Sequence, residues 1–227
     1  MQNLHTAYNI NCIYFTSEVN IIRMAQPMTN AFSRAETLFR EHQGLLRTSQ
    51  ALQLGIAPRT LYTMRDAGTL IEVSRGLYRL ADLPPLSQPD LVTVALKIPR
   101  GVICLISALA YHDLTTQIPH AVYLALPRDA EKPRLDYPPI RLFWFSGQAF
   151  ASGVEKHKLD GVTVKIYSPE KTVADCFKYR NKIGFNVALE ALKRCREHDR
   201  CSLQRLLHFS RICRVEKVMH PYLEALQ

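Results

Sequence analysis

Arginine, hydroxyl and phenol groups recur in the stretch APRTLYTMRDAGTLIEVSRGLYRL, residues 57–80. Arg59, Tyr62 and Thr63 fall on one face at helical spacing. A guanidinium group can donate two parallel hydrogen bonds to a guanine edge or to a phosphate, and hydroxyl groups can reach phosphate oxygens. These residue types in this pattern indicate a surface that binds nucleic acid.

Two short helices are predicted upstream of this stretch. Ser33 followed by Glu36 has the spacing of a capping box, which predicts that the first helix begins there. Thr48 or Ser49 can accept from the free amides of a second helix, and Gly55 can adopt the left-handed conformation that ends it. The chain would then enter the stretch 57–80 through the turn GIAP.

The third helix is predicted from Pro58, which has no amide hydrogen to satisfy, to Gly68. One side of this helix holds Ala57, Leu61, Met64 and Gly68, and the opposite side holds Arg59, Tyr62, Thr63 and Asp66. Asp66 would repel phosphate unless it pairs with Arg65 or with a cytosine amine. The positive N-terminal end of the helix favours anions.

A hairpin is predicted after the third helix, because LIEV and LYRL are β-compatible runs joined by SRG, where Gly76 can supply a positive φ. Arg75 at its tip, with Arg79 behind it, would reach a neighbouring phosphate. Together these elements predict a winged helix-turn-helix; the alternative is a three-helix scaffold whose hairpin contacts protein. The predicted DNA-binding residues are Arg47, Thr48, Arg59, Thr60, Tyr62, Thr63, Arg65, Arg75 and Arg79.

The charge balance also favours a polyanionic or acidic partner. The 227-residue chain has 29 Lys and Arg against 20 Asp and Glu, a formal net charge of +9. Residues 156–217 alone hold 15 basic and 7 acidic side chains. Solvated helix faces are the default explanation for this basic region. The functional alternatives are that it extends the DNA contacts or binds an acidic protein partner, and the candidate residues are Lys178, Arg180, Lys182, Lys193, Arg194 and Arg196.

The second half of the chain has a mixed α/β character. The runs AVYLAL, IRLFWF and VTVKIY are strand-like, QPDLVTVALKIP and VICLISALAYHDL are helix-like, and Ser168 can cap a helix beginning at Pro169. We therefore expect an α+β protein: a winged helix-turn-helix over 33–82, a linker over 83–88 and a mixed α/β domain over 89–227. Residues 1–32 are expected to be a disordered tail or the product of an early start codon.

Three segments together resemble one known family. LLRTSQALQLGIAPRTLYTMRDAGTLIEVSRGLYRL, GVICLISALAYHDLTTQIPHAVYLALPR and YSPEKTVADCFKYRNKIGFNVALEALKR are similar, in order and character, to the AbiEi antitoxin family of transcriptional regulators. The resemblance covers about residues 33–200. We expect a cytoplasmic autorepressor. Because one winged helix offers few base contacts, two copies, as monomers or a weak dimer, are expected to bind an inverted repeat in its own promoter. The resemblance implies that the protein also neutralises a nucleotidyltransferase toxin, with direct contact left open.

No catalytic residue, cofactor or metal is predicted, and no apolar run is long enough to cross a bilayer. The six cysteines show no CxxC pair and are interpreted as reduced core residues, with a zinc site of Cys195, His198 and Cys201 as an alternative. His112, Asp113, Asp175 and Cys176 could form a nucleophilic site, but they lie in apolar helical contexts that favour packing or capping. A DNA nuclease, and a stand-alone regulator whose second domain senses a ligand or dimerises, remain as alternative functions.

Overall fold

The computed structural model describes residues 30–197 and 201–225, and the chain divides between Leu83 and Pro84 into two compact units. Most of the predicted tail, residues 1–29, lies outside the described residues. Residues 30–32 are helical, so the prediction that the tail extends to residue 32 is wrong.

The first unit is a winged helix-turn-helix, as the sequence predicted. Its elements are α1 (30–41), β1 (Leu45–Arg47), α2 (Thr48–Gln53), α3 (Pro58–Asp66), β2 (Leu70–Ser74) and β3 (Leu77–Leu80). The strands form an antiparallel sheet in the order β1-β3-β2, so β3 is central. Strand β1, with only three residues, was not predicted from the sequence.

Apolar side chains from all three helices and the sheet form one core in this unit. Phe39 from α1, Leu61 and Met64 from α3, and Tyr78 from β3 are among its buried members. Because Leu61 and Met64 are one helical turn apart, their burial fixes which side of α3 faces outward. The predicted buried side of α3 is confirmed at these two residues, whereas Ala57 and Gly68 are exposed.

The predicted capping box at Ser33 is wrong. The helix already runs from residue 30, so Ser33 lies within it and its carbonyl accepts a hydrogen bond from the Thr37 hydroxyl at 2.9 Å. Glu36 instead pairs with Arg40 at 2.7 Å, and Arg40 also contacts Asp82. Glu36, the acidic residue of the predicted capping box, therefore forms an ion pair on the surface of the helix.

The second unit contains a five-stranded mixed sheet with helices on both faces. Its elements are α4 (Pro89–Lys97), β4 (Val102–Ile103), α5 (Leu105–Tyr111), β5 (Val122–Pro127), β6 (Ile140–Phe145), α6 (Gln148–Ala151), β7 (Val154–Leu159), β8 (Val162–Tyr167), α7 (Pro169–Lys178), α8 (Arg180–Ile183), α9 (Phe185–Glu197), α10 (Leu203–Ile212) and α11 (Glu216–Glu224). The strand order is β6-β5-β4-β8-β7. Helix α4 packs with one apolar cluster of the sheet, α7, α9, α10 and α11 pack with the other, and α5 contributes to both.

The predicted α+β class is therefore confirmed, with local differences in the second unit. VICLISALAYHDL was predicted to be helical throughout, but Val102 and Ile103 pair with β5 and β8 as strand β4 before α5 begins. Strand β7 was not predicted, because VEKHKL carries alternating charged residues on an outer strand. The predicted strands AVYLAL, IRLFWF and VTVKIY are present as β5, β6 and β8.

Helix α7 is enclosed on all sides although its sequence is polar. The Ser168 side chain caps it by accepting from the Lys171 amide at 3.4 Å, and Pro169 occupies the first turn, as predicted. Lys171 and Asp175 are both fully buried and form an ion pair one turn apart. The Lys171 ammonium also lies 4.2 Å from the centre of the Tyr167 ring.

Burial raises the pKa of Asp175, and the Lys171 ammonium and the Cys213 thiol offset part of that effect. Cys213 donates to the second Asp175 oxygen at 3.2 Å. The carboxylate is thus bonded on both oxygens, as a buried charge requires. Removing one partner would leave the other uncompensated inside the core.

Replacing Lys171 by Met should lower the free energy of unfolding by about 3–5 kcal/mol, because Asp175 would remain buried without its partner. The double variant K171M/D175L should recover much of that loss, since both charges are removed. Urea unfolding followed by circular dichroism measures the three proteins. The matched control is K193M, which removes the same spacing of ion pair to Glu197 on the surface and should cost less than about 1 kcal/mol. Equal losses for K171M and K193M would contradict this account.

Cys195 and Cys201 are joined by a disulfide across a Cα–Cα distance of 5.3 Å. The interpretation of all six cysteines as reduced is therefore wrong for this pair. Cys195 lies in the last turn of α9, and Cys201 lies just before α10. Both are buried in the same apolar cluster. The helix-like pattern of each segment gave no sign that the connection between them brings the two thiols together.

Reductant should lower the melting temperature of the purified, oxidised protein, because the bridge restricts a short loop in the unfolded chain. A loop of this length corresponds to about 2 kcal/mol in the chain-entropy estimate. Differential scanning calorimetry with and without reductant measures the shift, and the variant C195S should melt at one temperature in both buffers. An oxidised wild-type protein that melts identically with reductant would overturn the assignment.

Candidate nucleic-acid interface

Helix α3 presents a polar face because its opposite side is fixed in the core. Ala57 has an extended backbone, and Pro58 takes the first helical position as predicted. Leu61 and Met64 are buried, while Arg59 is exposed and Tyr62 has 47% of its surface exposed. The helix therefore offers a guanidinium group and a phenol to a ligand.

Two polar side chains of α3, those of Thr63 and Arg65, already form hydrogen bonds within the helix. The Thr63 hydroxyl donates to the Arg59 carbonyl at 2.8 Å. The Arg65 guanidinium donates to Asp66 through Nε at 3.0 Å and Nη2 at 2.8 Å, and it lies 5.3 Å from the centre of the Tyr62 ring. Asp66 thus pairs with Arg65, one of its two predicted partners, and its negative charge is partly neutralised beside the binding face.

The hairpin between β2 and β3 is fastened to the start of α2. Gly76 adopts a φ of 68°, as the predicted tight turn requires, and its amide donates to the Glu72 carboxylate at 2.9 Å. The Gly76 carbonyl accepts from the Thr48 amide at 3.0 Å and from the Thr48 hydroxyl at 3.3 Å. Arg75 is exposed at the tip of this fastened turn.

Thr48 therefore helps to hold the hairpin, the wing of the fold, in position. It was predicted both as a helix cap and as a DNA contact, but it is the first residue of α2 and its hydroxyl is bonded to Gly76. The N-cap residue of α2 is instead Arg47, whose backbone amide donates to the Gln50 side chain at 3.1 Å. Glu72 and Gln50 were missed by the sequence reasoning, although Glu72 lies four residues before Gly76 in a predicted turn.

Among the predicted DNA contacts, Arg47 is half-buried and Arg79 is buried. Burial lowers the pKa of Arg47, whose Nε is buried without a hydrogen-bond partner among the described residues. Arg79, on the central strand β3, is buried with 9% exposure and donates to the Leu83 carbonyl at 3.2 Å. The phosphate contact of Arg79 behind the wing stays a prediction, and its burial and its bond to Leu83 make it a weaker candidate than Arg75.

The geometry leaves a smaller set of the predicted contacts on the outside of the first unit. Arg59, Thr60, Tyr62 and Arg65 lie on α3, and Arg75 lies at the hairpin tip. All belong to elements fixed by one core, so their backbone positions are set before a ligand arrives. A preformed helix with a basic hairpin beside it suits the major groove and the adjoining phosphates of duplex DNA.

The predicted basic surface of the second unit is partly neutralised. Lys193 pairs with Glu197 at 3.7 Å, and Arg194 pairs with Glu190 at 3.1 Å. Arg180 donates to the Phe177 carbonyl at 2.8 Å. Lys178, Lys182 and Arg196 complete the set, and Lys178 and Lys182 are exposed.

Three of the four nucleophile candidates, His112, Asp175 and Cys176, are buried. Asp175 and Cys176 are fully buried, and burial raises the pKa of Cys176 well above its usual value. The ring nitrogen Nε2 of His112 lies 2.8 Å from the Tyr167 carbonyl. The zinc alternative loses its two thiolates to the Cys195–Cys201 bridge, and His198 lies outside the described residues.

Comparison with known proteins supports the fold of both units. The chain is similar to the RV2827C protein from Mycobacterium tuberculosis, whose crystal structure superposes with a TM-score of 0.55 at 14% sequence identity, over 79% of this chain and 71% of that chain. No curated protein matches the sequence. None of the helices in the described residues is long and apolar enough to span a membrane.

A sequence model of one protein family matches part of the chain. It matches residues 33–81, which span nearly all of α1 to β3. The resemblance predicted from the sequence is thereby confirmed for the first unit: residues 33–81 match the family described as "Transcriptional regulator, AbiEi antitoxin".

Proposed function

We propose that this protein represses its own promoter through the winged helix-turn-helix and neutralises a cognate toxin through the second unit. The observation that supports DNA binding most directly is the exposed face of α3 beside a hairpin that Thr48 and Glu72 hold in place. A cytoplasmic location and the lack of an enzymatic reaction belong to the same proposal.

DNA recognition in this proposal divides between α3 and the wing. Arg59 on the first turn of α3 reads base edges, while Arg75 at the hairpin tip contacts a phosphate on the adjoining backbone. One such unit offers few base contacts. Two copies, monomeric or weakly dimeric in solution, would therefore bind an inverted repeat with half-sites separated by whole helical turns.

The family resemblance of the first unit supports the antitoxin role, and the toxin itself would be a nucleotidyltransferase encoded beside this gene. The first unit uses its exposed basic face for DNA, so a second activity needs another surface. In the second unit Lys178 and Lys182 are exposed near the end of α7 and in α8. Lys193 and Arg194 are weaker candidates than the sequence suggested, because each has an acidic partner.

Replacing Arg59 by Ala should weaken binding to the upstream region of the protein's own gene by about 1–3 kcal/mol and relax sequence preference, because a base contact is lost. Replacing Arg75 by Ala should weaken all sequences similarly and reduce the salt slope by about one. Fluorescence anisotropy with promoter and unrelated duplexes over a salt series separates the two effects.

The matched control for these variants is R40A, which removes an exposed arginine of the same unit that is held by Glu36 and Asp82. It should bind the promoter nearly as the wild-type protein does. Promoter affinity that is unchanged in both R59A and R75A would remove α3 and the wing from the proposed interface.

Toxin neutralisation should survive the loss of DNA binding. In cells that express the neighbouring gene from an independent promoter, the full-length variant R59A/R75A should restore growth, since its second unit is intact. The variant K178E/K182E should lose rescue and keep promoter affinity if these lysines meet an acidic partner. If R59A/R75A is folded and abundant yet growth stays arrested, neutralisation does not belong to the second unit alone.

A further inference from the structure

Strand β6 is an outer strand of the five-stranded sheet, with β5 as its one neighbour in the described sheet. The Val122 amide donates to the Pro139 carbonyl at 2.8 Å, which fixes the phase of the parallel ladder. Because alternate residues of a parallel strand face the same neighbour, Arg141 and Phe143 direct their backbone groups to β5. Ile140, Leu142 and Trp144 then direct theirs away from the sheet.

A groove of about 750 Å³ lies along β6, between the strand and the loop that precedes it. Lys132, Arg134 and Leu135 line it from the loop, and Ile140, Leu142 and Trp144 line it from the strand. Trp144 is 43% exposed, and its indole N–H donates to the Ala130 carbonyl at 3.1 Å, which holds the ring in place. No backbone hydrogen bond between the described loop residues 131–138 and the outward groups of β6 is present.

The charges around this groove are mainly positive. Lys132, Arg134 and Arg141 line it against a single acidic residue, Asp136. Arg141 is held in position, because Nη1 donates to the Tyr123 hydroxyl at 3.0 Å and Nη2 donates to the Lys182 carbonyl at 3.4 Å. A ligand therefore meets a fixed guanidinium group, two cations on the loop and an aromatic surface.

We propose that β6 and its groove bind an acidic, extended polypeptide segment of a partner protein, which adds a strand to the sheet. The outward N–H and C=O groups supply main-chain hydrogen bonds, the apolar groove receives alternate side chains, and Lys132, Arg134 and Arg141 attract carboxylates. Strand β6 has six residues, so it accommodates a segment of about six residues, roughly 20 Å long.

Charge and backbone geometry favour this occupant over two others. A second copy of the chain, paired through the same edge, would bring the same three cations against one another. Single-stranded nucleic acid would suit the cations and Trp144, but it cannot complete a ladder of amide and carbonyl groups. The opposite outer strand, β7, differs because its sequence VEKHKL presents charged residues and lacks an exposed aromatic side chain.

The single tryptophan of the chain provides the measurement, because Trp144 lies in the groove. Titration of the full-length protein with a synthetic ten-residue peptide of alternating Val and Glu should change the tryptophan fluorescence in a saturable way at low salt. The same peptide with Lys in place of Glu should not. Hydrogen exchange should slow at the backbone amides of Leu142 and Trp144 when the acidic peptide is bound.

The variant K132E/R134E should bind the acidic peptide about tenfold more weakly or worse. The matched control is K158E, on the opposite edge strand of the same sheet, which should bind normally. Both variants alter exposed side chains, and equal melting temperatures would verify their folding. The proposal is overturned if the acidic peptide leaves Trp144 unchanged, if K132E/R134E binds as well as K158E, or if a dT12 oligonucleotide binds at the groove and the peptide does not.

Discussion

The buried ion pair between Lys171 and Asp175 constrains the second unit more than any surface feature does. Every side chain from Glu170 to Phe177 is buried, so α7 has no solvent-exposed face over those residues. A lysine at the centre of such a helix is tolerated because its ammonium meets a carboxylate and the faces of Tyr167 and Phe145. Helices α5, α9, α10 and α11 then pack around this satisfied centre.

This burial changes the meaning of the segment SPEKTVADCFKYR. From sequence alone its charges and its family resemblance pointed to a partner surface. The structure places Glu170, Lys171 and Asp175 inside the unit, where they hold helices together, and leaves only the last residues of the segment near solvent. A binding surface in this region must therefore be built from α8 and neighbouring elements.

Hydrophobic periodicity predicted the winged helix well, because it reports which face of each helix meets a core. Leu61 and Met64 identified the outer face of α3, and Pro58 and Gly76 marked a helix start and a hairpin turn. Periodicity could not show which polar groups are already bonded. Thr48 and Arg79 were assigned to DNA, yet their partners, Gly76 and Leu83, are set by the folded backbone.

The same reason explains the elements that were missed. Strands β1 and β4 have three and two residues, and each exists because a distant strand supplies its hydrogen bonds. The Cys195–Cys201 bridge likewise depends on how α9 and α10 are connected. A net charge of +9 gives long-range attraction to polyanions, but it does not locate a binding site. Several of the cations, including Arg40, Lys193 and Arg194, form ion pairs with neighbouring acidic side chains. In the proposed interface, DNA instead meets Arg59 and Arg75, which lie on backbone that the core of the first unit has already fixed.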